Sequence, residues 1–389
     1  MKILLLHQFF KTPETGGAIR SYYLSQALKD SGHTVVVISS HNKTKYAIEN
    51  IDGVEVHYLP IAYDNRFSFF KRAWAFLRYV FIAAKLSGKF HDFDRCYAIS
   101  VPLTVGIIAR WNKFRYGLPY IFEVGDLWPD APIQMGYISN YFFKRFLFAL
   151  EKSIYRHAEL IVALSKPIQE AIEEKVPGKQ LECIPNMADC DYYFPAKKNP
   201  ALEEKYCVNE KFVVTYAGAL GAANGLNFLL ACAAVSKNEK LPIHFLICGD
   251  GAIRENLIAK TSALALQNVS ILPFINREGV KEIMNVTDAA FISFENVPIL
   301  ETGSPNKYFD GLAAGKLIIT NFGGWIKNEI EEAGCGISIN PLMAHEFVEK
   351  IHPFLSDRQR LNQYQNASRA LAETKYSRKL LSGKFVKLF

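Results

Sequence analysis

The chain alternates short runs of apolar residues with longer segments in which apolar residues recur every three or four positions. The short runs predict buried strands, and the periodic segments predict amphipathic helices. Strand, helix and strand in that order predict parallel sheets covered by helices, an α/β fold. The predicted strands are 3–6, 34–39, 94–100, 120–123, 160–165 and 181–186, then 212–217, 243–248, 269–272, 289–293 and 317–320.

The strand–helix pattern stops after residue 186 and restarts at 212, which divides the chain into two halves. The intervening segment is rich in proline, charge and tyrosine, which is typical of a linker. A chain of 389 residues is also too long for one ordinary core. We expect a first domain over 1–190, a linker over 191–210 and a second domain over 211–375. Each half has a glycine turn after its first strand, so the architecture repeats.

Composition narrows the class of protein. Half of the residues are hydrophobic and 21% are charged, which indicates a globular protein without disordered composition. The formal net charge is +7, but lysine and arginine are spread along the chain, so no nucleic-acid-binding arm is predicted. The positive excess suits either an anionic ligand or an anionic membrane surface.

Cysteine usage and the absence of targeting patterns indicate the compartment. The seven cysteines have no CxxC spacing, and several lie in apolar runs, as buried free thiols do in a reducing compartment. The first residues read as a strand without a signal-peptide cleavage pattern, and no apolar run is long enough to span a bilayer. We expect a cytoplasmic protein.

The stretch 301–316 contains the strongest candidate site. Ser304 followed by Pro305 predicts a helix start, and Gly315 predicts its end. The free amides and dipole of a helix start bind phosphate, and Lys307 adds a charge there. Asp310, one turn later, suits the two hydroxyls of a ribose. Together they predict a nucleotide site; the alternative is a capped surface helix with ordinary charges.

A second glycine turn follows the first strand. Gly16 and Gly17 precede a helical segment that begins at Ala18, and Arg20 lies one turn in. Ligands of open α/β sheets gather at the carboxyl ends of strands, so these residues are candidate ligand contacts. The alternative is that the glycines only make a turn.

The strand beginning at 120 ends in polar chemistry. Glu123 and Asp126 are followed by Trp128 and a proline, at a position where a parallel sheet presents a cleft. Acids that cap the following helix are the alternative interpretation.

Two cationic, aromatic-rich segments have helical spacing. The first, 66–85, contains no acidic residue, and the second covers 141–148. Such helices lie in membrane interfaces, with rings in the acyl boundary and basic groups at anionic headgroups. Alternatively, both helices pack on the sheet with their basic residues in water, which we favour for the second. The candidate membrane residues of the first are Arg66, Lys71, Arg72, Trp74 and Arg78.

Taken together, these motifs resemble the retaining glycosyltransferase family 4, of the GT-B fold. The resemblance is closest to the bacterial surface-polysaccharide branch typified by WbuB-like L-fucosamine transferases. The matching pieces run in family order over nearly the whole chain: HQFF at 7–10, GGAIR at 16–20, EVGDLWP at 123–129, IPN at 184–186, GALGAANGL at 218–226, GDG at 249–251 with Arg254, and SPNK at 304–307 through Asp310 to Gly315 and Lys316.

The resemblance implies two doubly wound Rossmann-like domains facing across a cleft, with a terminal helix at about 376–389 that crosses back onto the first domain. A nucleotide-sugar donor would bind mainly to the second domain and an acceptor to the first. Implied donor contacts are Gly16, Gly17, Arg20, Gly218, Asn224, Gly249, Asp250, Gly251, Ser304, Pro305, Asn306, Lys307 and Asp310; His7 and Trp128 are candidate acceptor contacts, and Glu123, Asp126 and Lys307 are the catalytic candidates.

The sequence departs from the family pattern at several positions. Thr302 occupies the place of the family's first acid, and Glu301 is one residue away. Many relatives have arginine and lysine at the positions of Ala219 and Asn224. Without these two cations, Lys307 and the helix amides would contribute more to binding the pyrophosphate. Gly125 replaces the branch's arginine or histidine, so the contact to the transferred sugar is open.

The chemistry implied by the resemblance is substitution at an anomeric carbon with retention, without a metal or other cofactor. The implied donor is UDP-linked. The implied acceptor is a polyprenyl-linked saccharide reached from the inner face of the plasma membrane, as in O-antigen or capsule synthesis. No catalytic nucleophile is assigned. Two alternatives stay open: a nucleotide-sugar epimerase of the same architecture, and a non-catalytic partner subunit with a decayed site.

Overall fold

The computed structural model describes residues 1–17, 19–64 and 66–389, and for Phe69 the backbone alone. Ala18, the expected first residue of a helix, lies outside the described residues, as does the side chain of Phe69, one of the aromatic residues of 66–85. The chain forms two α/β domains, each built on one largely parallel sheet. This confirms the predicted fold class of two doubly wound domains.

The first domain has an eight-stranded sheet in the order β3-β4-β2-β1-β5-β6-β7-β8. All neighbouring pairs are parallel except β3 and β4, which form an antiparallel hairpin at the sheet edge. The strands are β1 Lys2–Leu6, β2 Thr34–His41, β3 Ala47–Ile51, β4 Val54–Pro60, β5 Arg95–Ile99, β6 Tyr120–Val124, β7 Leu160–Ala163 and β8 Leu181–Cys183. The hairpin was absent from the prediction.

The second domain has a six-stranded parallel sheet in the order β11-β10-β9-β12-β13-β14. The strands are β9 Phe212–Ala217, β10 Ile243–Cys248, β11 Val269–Leu272, β12 Ala289–Ile292, β13 Leu317–Thr320 and β14 Gly336–Ser338. β9 lies between β10 and β12, so the strand order reverses beside it, and this is the place where open α/β sheets bind ligands.

Helices cover both faces of each sheet and leave the carboxyl ends of the strands open. Those of the first domain are α1 Arg20–Asp30, α2 Phe69–Ser87, α3 Val105–Tyr116, α4 Asp130–Gln134, α5 Tyr141–His157 and α6 Lys166–Lys175. α7 Pro200–Lys205 lies in the expected linker. The rest are α8 Leu226–Asn238, α9 Arg254–Ala263, α10 Arg277–Val286, α11 Asn306–Ala313, α12 Gly324–Glu332, α13 Ala344–Ser356, α14 Arg358–Leu371 and α15 Arg378–Val386. Across the described ranges, none of these helices combines the length and apolarity needed to span a bilayer.

The carboxyl-terminal helix α15 packs against α1 of the first domain. The rings of Phe385 and Tyr97 lie 4.9 Å apart between centroids, and Arg95 donates to the main-chain oxygen of Leu388 at 2.9 Å. One buried apolar cluster therefore contains residues of both sheets together with α15. The end of the chain thus belongs to an apolar cluster shared by the two domains, and each domain also has a cluster of its own.

Loops at the carboxyl edges of the two sheets contact each other. Ser165, after β7, donates its hydroxyl to the main-chain oxygen of Thr302 at 2.5 Å. Gln134, the last residue of the short helix α4 that follows β6, accepts from the main-chain N–H of Ile299 at 3.2 Å. The carboxyl edges therefore face one another across a cleft. The loops that line this cleft contain most of the predicted site residues.

Candidate functional site

The candidate phosphate-binding helix is α11. It begins at Asn306 with Pro305 as the N-cap, and no side chain caps its first amides. The prediction that Ser304 caps this helix was therefore wrong: its hydroxyl instead accepts from the main-chain N–H of Asn186 at 3.3 Å. Because the first amides of a helix have no intrahelical partner, those of α11 are available to an anion.

Lys307 lies among neutral groups at this helix start. Its Nζ donates to the hydroxyl of Tyr216 at 2.8 Å and to Oδ1 of Asn224 at 3.1 Å. The ammonium also lies 4.2 Å from the centroid of the Tyr216 ring and 5.7 Å from that of Phe294. Burial lowers the pKa of Lys307 to about 7. Within the described residues no carboxylate is ion-paired with it, so a bound anion would supply the missing counter-charge.

The glycine turns after β9 and β10 pack against each other beside this lysine. A Cβ on Gly249 would lie 1.8 Å from the main-chain oxygen of Gly218, and one on Gly251 would lie 2.4 Å from that of Leu220. Glycine is therefore required for the two turns to approach. A Cβ on Gly218 would lie 3.3 Å from Cε of Lys307, so the turn lies directly against the lysine side chain.

Asp310 lies one turn after Lys307, next to a second group of charges. Burial raises the pKa of Asp310 to about 7; Arg277 opposes this shift and Asp189 adds to it. Arg277 is ion-paired with Asp189 and stacks 3.7 Å from the ring centroid of Tyr192. Lys307 and Asp310 thus occupy different surroundings on one helix, as a diphosphate and a ribose would require.

Gly16 of the first domain faces the second domain. A Cβ on Gly16 would lie 3.5 Å from the ring of Phe274 and 4.0 Å from the main-chain nitrogen of Arg277. Both Gly16 and Gly17 have positive φ, at 68° and 90°, which suits glycine. The structure places this loop where β11 of the second domain ends, on the same side as Asp310's charged neighbours.

Arg20 and Glu123, predicted as a donor contact and a catalytic group, are paired with each other. Nε and Nη2 of Arg20 donate to the Glu123 carboxylate at 2.9–3.1 Å, and their side chains are 8% and 1% exposed. Tyr97 also donates to this carboxylate. The remaining Arg20 donors bind the main-chain oxygens of Ile184 and Pro185. This geometry positions the chain segment that leads to Asn186.

Strands β1 and β6, with β5 between them, are followed by the acceptor candidates His7 and Trp128 and by the catalytic candidate Asp126. His7, after β1, is buried with its Nδ1 2.8 Å from the hydroxyl of Ser21, and burial lowers its pKa to about 4, so its ring is neutral near pH 7. Asp126 is exposed in the loop after β6, and partial removal from water raises its pKa. Trp128 is half-buried against the core of the first domain. β1, β5 and β6 are adjacent, so these residues share the cleft edge.

The departures from the family pattern have structural consequences. The hydroxyl of Thr302 donates to the main-chain oxygen of Ile299 at 2.8 Å, so its hydrogen is already used in a bond within the same turn. Glu301 accepts from the main-chain N–H of Gly323 at 3.2 Å, at the start of α12. The hydroxyl of Tyr216 donates to the main-chain oxygen of Ala219 at 2.8 Å and so links that turn to Lys307.

The segment 66–85 consists of a turn and almost all of helix α2, which ends at Ser87. Arg66 precedes the helix and pairs with Asp64 at 2.8 Å; it also interacts electrostatically with Asp250 of the second domain. Within α2, Tyr79 is fully buried and donates to the main-chain oxygen of Ile38. The opposite face exposes large apolar side chains between basic ones: Phe70 83%, Trp74 65%, Leu77 44% and Phe81 72%, with Lys71, Arg78 and Lys85 also exposed.

Two groups at the site were missed by the sequence interpretation. Tyr216 lies in the strand predicted over 212–217 and was not singled out, although its hydroxyl accepts from Lys307. Arg277 is the first residue of α10. In the sequence it is only a basic residue after a strand and a loop, and this pattern alone does not predict a site. As for metals, the described ranges contain no group of three or more His, Cys, Asp or Glu residues that could hold an ion.

Family models match most of the chain in two consecutive parts. Residues 15–187 match a model described as a glycosyl transferase 4-like domain, and residues 200–371 match one described as glycosyl transferases group 1. A curated relative, an alpha-D-kanosaminyltransferase of Streptomyces kanamyceticus, is 20% identical over 235 residues, which cover 58% of this chain. The match spans 59% of that relative's length.

Solved structures share the fold over the whole chain. The sucrose-phosphate synthase of Thermosynechococcus elongatus has a TM-score of 0.80 at 14% identity, covering 100% of this chain and 98% of that one. Anabaena HepE in complex with UDP-glucose has a TM-score of 0.72 at 17% identity, covering 100% and 99%. At these identities the likeness establishes the architecture.

Proposed function

We propose that this chain, which belongs to the GT-B glycosyltransferases, transfers a sugar from a nucleoside diphosphate sugar to an acceptor held by its first domain. One observation is central to the proposal: the Lys307 ammonium lies among neutral groups at the start of α11, beside the glycine turn at Gly218. In the part of the chain that the structure describes, no carboxylate is paired with this ammonium, so its counter-charge must come from a bound anion. A diphosphate is such an anion.

The rest of the donor fits around this anchor. The free amides of α11 and Lys307 receive the diphosphate, and Asp310 accepts the hydroxyls of the ribose. The loop with Gly16 and Gly17 closes over the donor from the first domain, since it already faces Phe274 and Arg277. Asn224, which accepts from Lys307, orients the ammonium.

The proposed reaction is substitution at the anomeric carbon with retention of configuration. In the transition state positive charge spreads over the sugar ring and negative charge develops on the departing diphosphate. Fixed donors placed where charge develops contribute about 3 kcal/mol each in comparable sites, which is the role of Lys307 and the α11 amides. Asp126, at the cleft edge of the first domain, is the candidate group beside the sugar; no nucleophile is assigned.

We further propose that transfer needs no divalent cation, because Lys307 and the helix start provide the positive charge that a metal provides in other enzymes. Transfer measured in excess chelator tests this directly. Full activity is expected. Activity that disappears with chelator and returns with magnesium would overturn the metal-free proposal and leave the donor site intact.

The donor we propose is UDP-linked, and the acceptor is a polyprenyl-linked saccharide of bacterial surface-polysaccharide synthesis, at the inner face of the membrane. The UDP-glucose complex of HepE supports the choice of nucleotide. The exposed aromatic and basic face of α2 supports a membrane location, since Trp74 and Phe81 are 65% and 72% exposed between basic residues.

A screen of nucleotide sugars by thermal shift tests the proposed donor class, because a ligand of the folded state stabilises according to its concentration over Kd. UDP-sugars should raise Tm for the wild type and much less for Lys307→Ala. The stabilising sugar is then tested for transfer to a polyprenyl-linked saccharide. Release of an epimerised nucleotide sugar without any acceptor would contradict transfer and support the epimerase alternative.

Changing Lys71, Arg72 and Arg78 together to Glu tests the membrane location. Basic residues near an anionic surface contribute about 1 kcal/mol each to membrane binding. The triple variant should therefore no longer bind anionic liposomes, and it should transfer the sugar slowly to a lipid-linked acceptor. Transfer to a short soluble acceptor should persist, because the donor site is untouched. Failure of the wild-type protein to bind anionic liposomes at low salt would contradict this part of the proposal.

A further inference from the structure

The first half of helix α5 lies at the protein surface although it is rich in aromatic residues. None of the residues 141–150 is buried, and the buried residues of the helix, such as Ile154 and Tyr155, lie in its second half. The exposed fractions of its aromatic residues are 68% for Tyr141, 78% for Phe142, 42% for Phe143, 60% for Phe146 and 36% for Phe148. Packing on the sheet, the interpretation favoured from sequence, therefore does not explain this half of the helix.

We infer that the first two turns of α5 enter the same anionic lipid surface as α2, so that the protein contacts the bilayer through two helices. This rests on the membrane location in the proposed function and adds a second contact element to it. The aromatic rings insert at the boundary of the acyl chains, and the basic side chains contact the anionic headgroups above it.

The charges of α5 favour a bilayer as the occupant. Lys144 and Arg145 lie between the exposed rings, and Arg145 is itself exposed. The helix has a single acidic residue, Glu151, which is 1% exposed and paired with Lys175 at 2.8 Å. The surface that α5 presents to its surroundings is thus aromatic and basic, which complements anionic headgroups.

The position of α5 in the fold agrees with this inference. α2 and α5 follow β4 and β6, so both helices begin at the carboxyl edge of the sheet, which is the cleft edge. Phe70 and Trp74 lie in the first two turns of α2, and the exposed rings of α5 lie in its first half, whereas Phe81 lies in the second half of α2. An acceptor attached to a lipid would therefore reach the cleft between these two helix starts with its lipid still in the bilayer.

Helix α3 connects the two elements. It contacts both α2 and α5, and like α2 it contains no acidic residue. Its own exposed aromatic residues, Trp111 at 46% and Phe114 at 83%, flank Lys113, which donates to the main-chain oxygen of His157 at the end of α5. α3 therefore joins α2 and α5 into one helix layer and adds no acidic residue between them.

Sedimentation with phosphatidylglycerol–phosphatidylcholine vesicles at low salt tests the inference. Phe142→Ser with Phe146→Ser should lower vesicle partition at least tenfold, and Lys144→Glu with Arg145→Glu should do the same. Leu342→Ser is the matched control: it removes an apolar side chain that is 80% exposed on the second domain and should leave partition unchanged. Wild-type protein should bind phosphatidylcholine vesicles much more weakly.

UDP binding measured on every variant separates this inference from the proposed function. It should be unchanged in the α5 variants, which shows that they are folded. Vesicle binding of the α5 variants equal to wild type would overturn the inference, while loss in the α2 variant alone would leave the proposed α2 docking in place. A dimer that Phe142→Ser with Phe146→Ser dissociates, with vesicle binding unchanged, would overturn it too and assign the face to a second copy of the chain.

Discussion

Asn186 of the first domain donates its side-chain amide to the main-chain oxygen of Ser304 in the second, at 2.5 Å. Its own main-chain N–H donates to the hydroxyl of the same serine at 3.3 Å. Ser304 lies two residues before the start of α11, so Asn186 holds the segment that leads into the proposed phosphate-binding helix. The Arg20–Glu123 pair fixes the two residues before Asn186 and is thereby linked to the donor site.

Glu123→Gln should destabilise the protein strongly, because it leaves the Arg20 guanidinium buried without its counter-charge. Breaking a buried pair by removing one partner costs about 3–5 kcal/mol. Urea unfolding measures the change. Glu159→Gln is the matched control, since Glu159 pairs with Arg95 while 45% exposed, and the loss there should be at most about 1 kcal/mol. A variant of wild-type stability that has lost transfer would instead assign Glu123 to the chemistry.

Most of the fold could be predicted because its strands are continuous apolar runs between turn residues. Every strand expected from such a run is present, including β1 and β9 at the start of each domain. The missed strands lack that signal. β3, with the sequence AIENI, has three exposed residues out of five at the sheet edge, β4 begins with polar residues between its apolar ones (VEVHYLP), and β14 has three residues in all.

The site was less predictable because its contacts join distant parts of the chain. The Ser304–Pro305 pair has the local pattern of a helix start, but the serine is engaged by Asn186, 118 residues away. Arg20 and Glu123 were predicted separately, whereas the structure pairs them across 103 residues. The two neighbours on α11, Lys307 and Asp310, could be identified because helical spacing alone brings them together.

Asp310→Asn tests the proposed ribose contact. Asparagine keeps the size of the side chain but loses a carboxylate oxygen, so one of the two hydrogen bonds to the diol is lost. A hydrogen bond to a charged group contributes about 1.5–3 kcal/mol, so the affinities for UDP and for uridine should both fall about ten- to a hundredfold in calorimetry. An unchanged uridine affinity would remove Asp310 from the ribose site.

The pH dependence of binding follows from Lys307. Burial lowers its pKa to about 7 in the free protein, and a bound diphosphate must raise it, so binding takes up a proton above pH 7. The ratio of UDP to uridine affinity should therefore fall as pH rises from 7 to 9, by up to about tenfold per unit. Titrations in buffers of different ionisation enthalpy measure the proton uptake directly. A ratio that stays flat would contradict a shifted lysine.

The same shift affects folding in the absence of ligand. Because the folded-state pKa of Lys307 lies below its ordinary value of 10.5, the unfolded chain binds more protons between about pH 7 and that value. The contribution of this group to stability therefore rises with pH across this window. Comparing the wild type with Lys307→Met in urea unfolding at pH 7 and pH 9 measures it, and an equal stability difference at both values would speak against the shift.

The central claim is that Lys307 binds the diphosphate of a nucleotide, and calorimetry with UDP and uridine tests it most directly. Lys307→Ala should lower the UDP affinity about ten- to a hundredfold, as expected for a lost charge-assisted bond, and leave the uridine affinity nearly unchanged. Lys260→Ala, which removes an exposed lysine that donates to Asn227 in the same domain, should alter neither. Equal losses for UDP and uridine in Lys307→Ala, or an unchanged UDP affinity, would contradict the account.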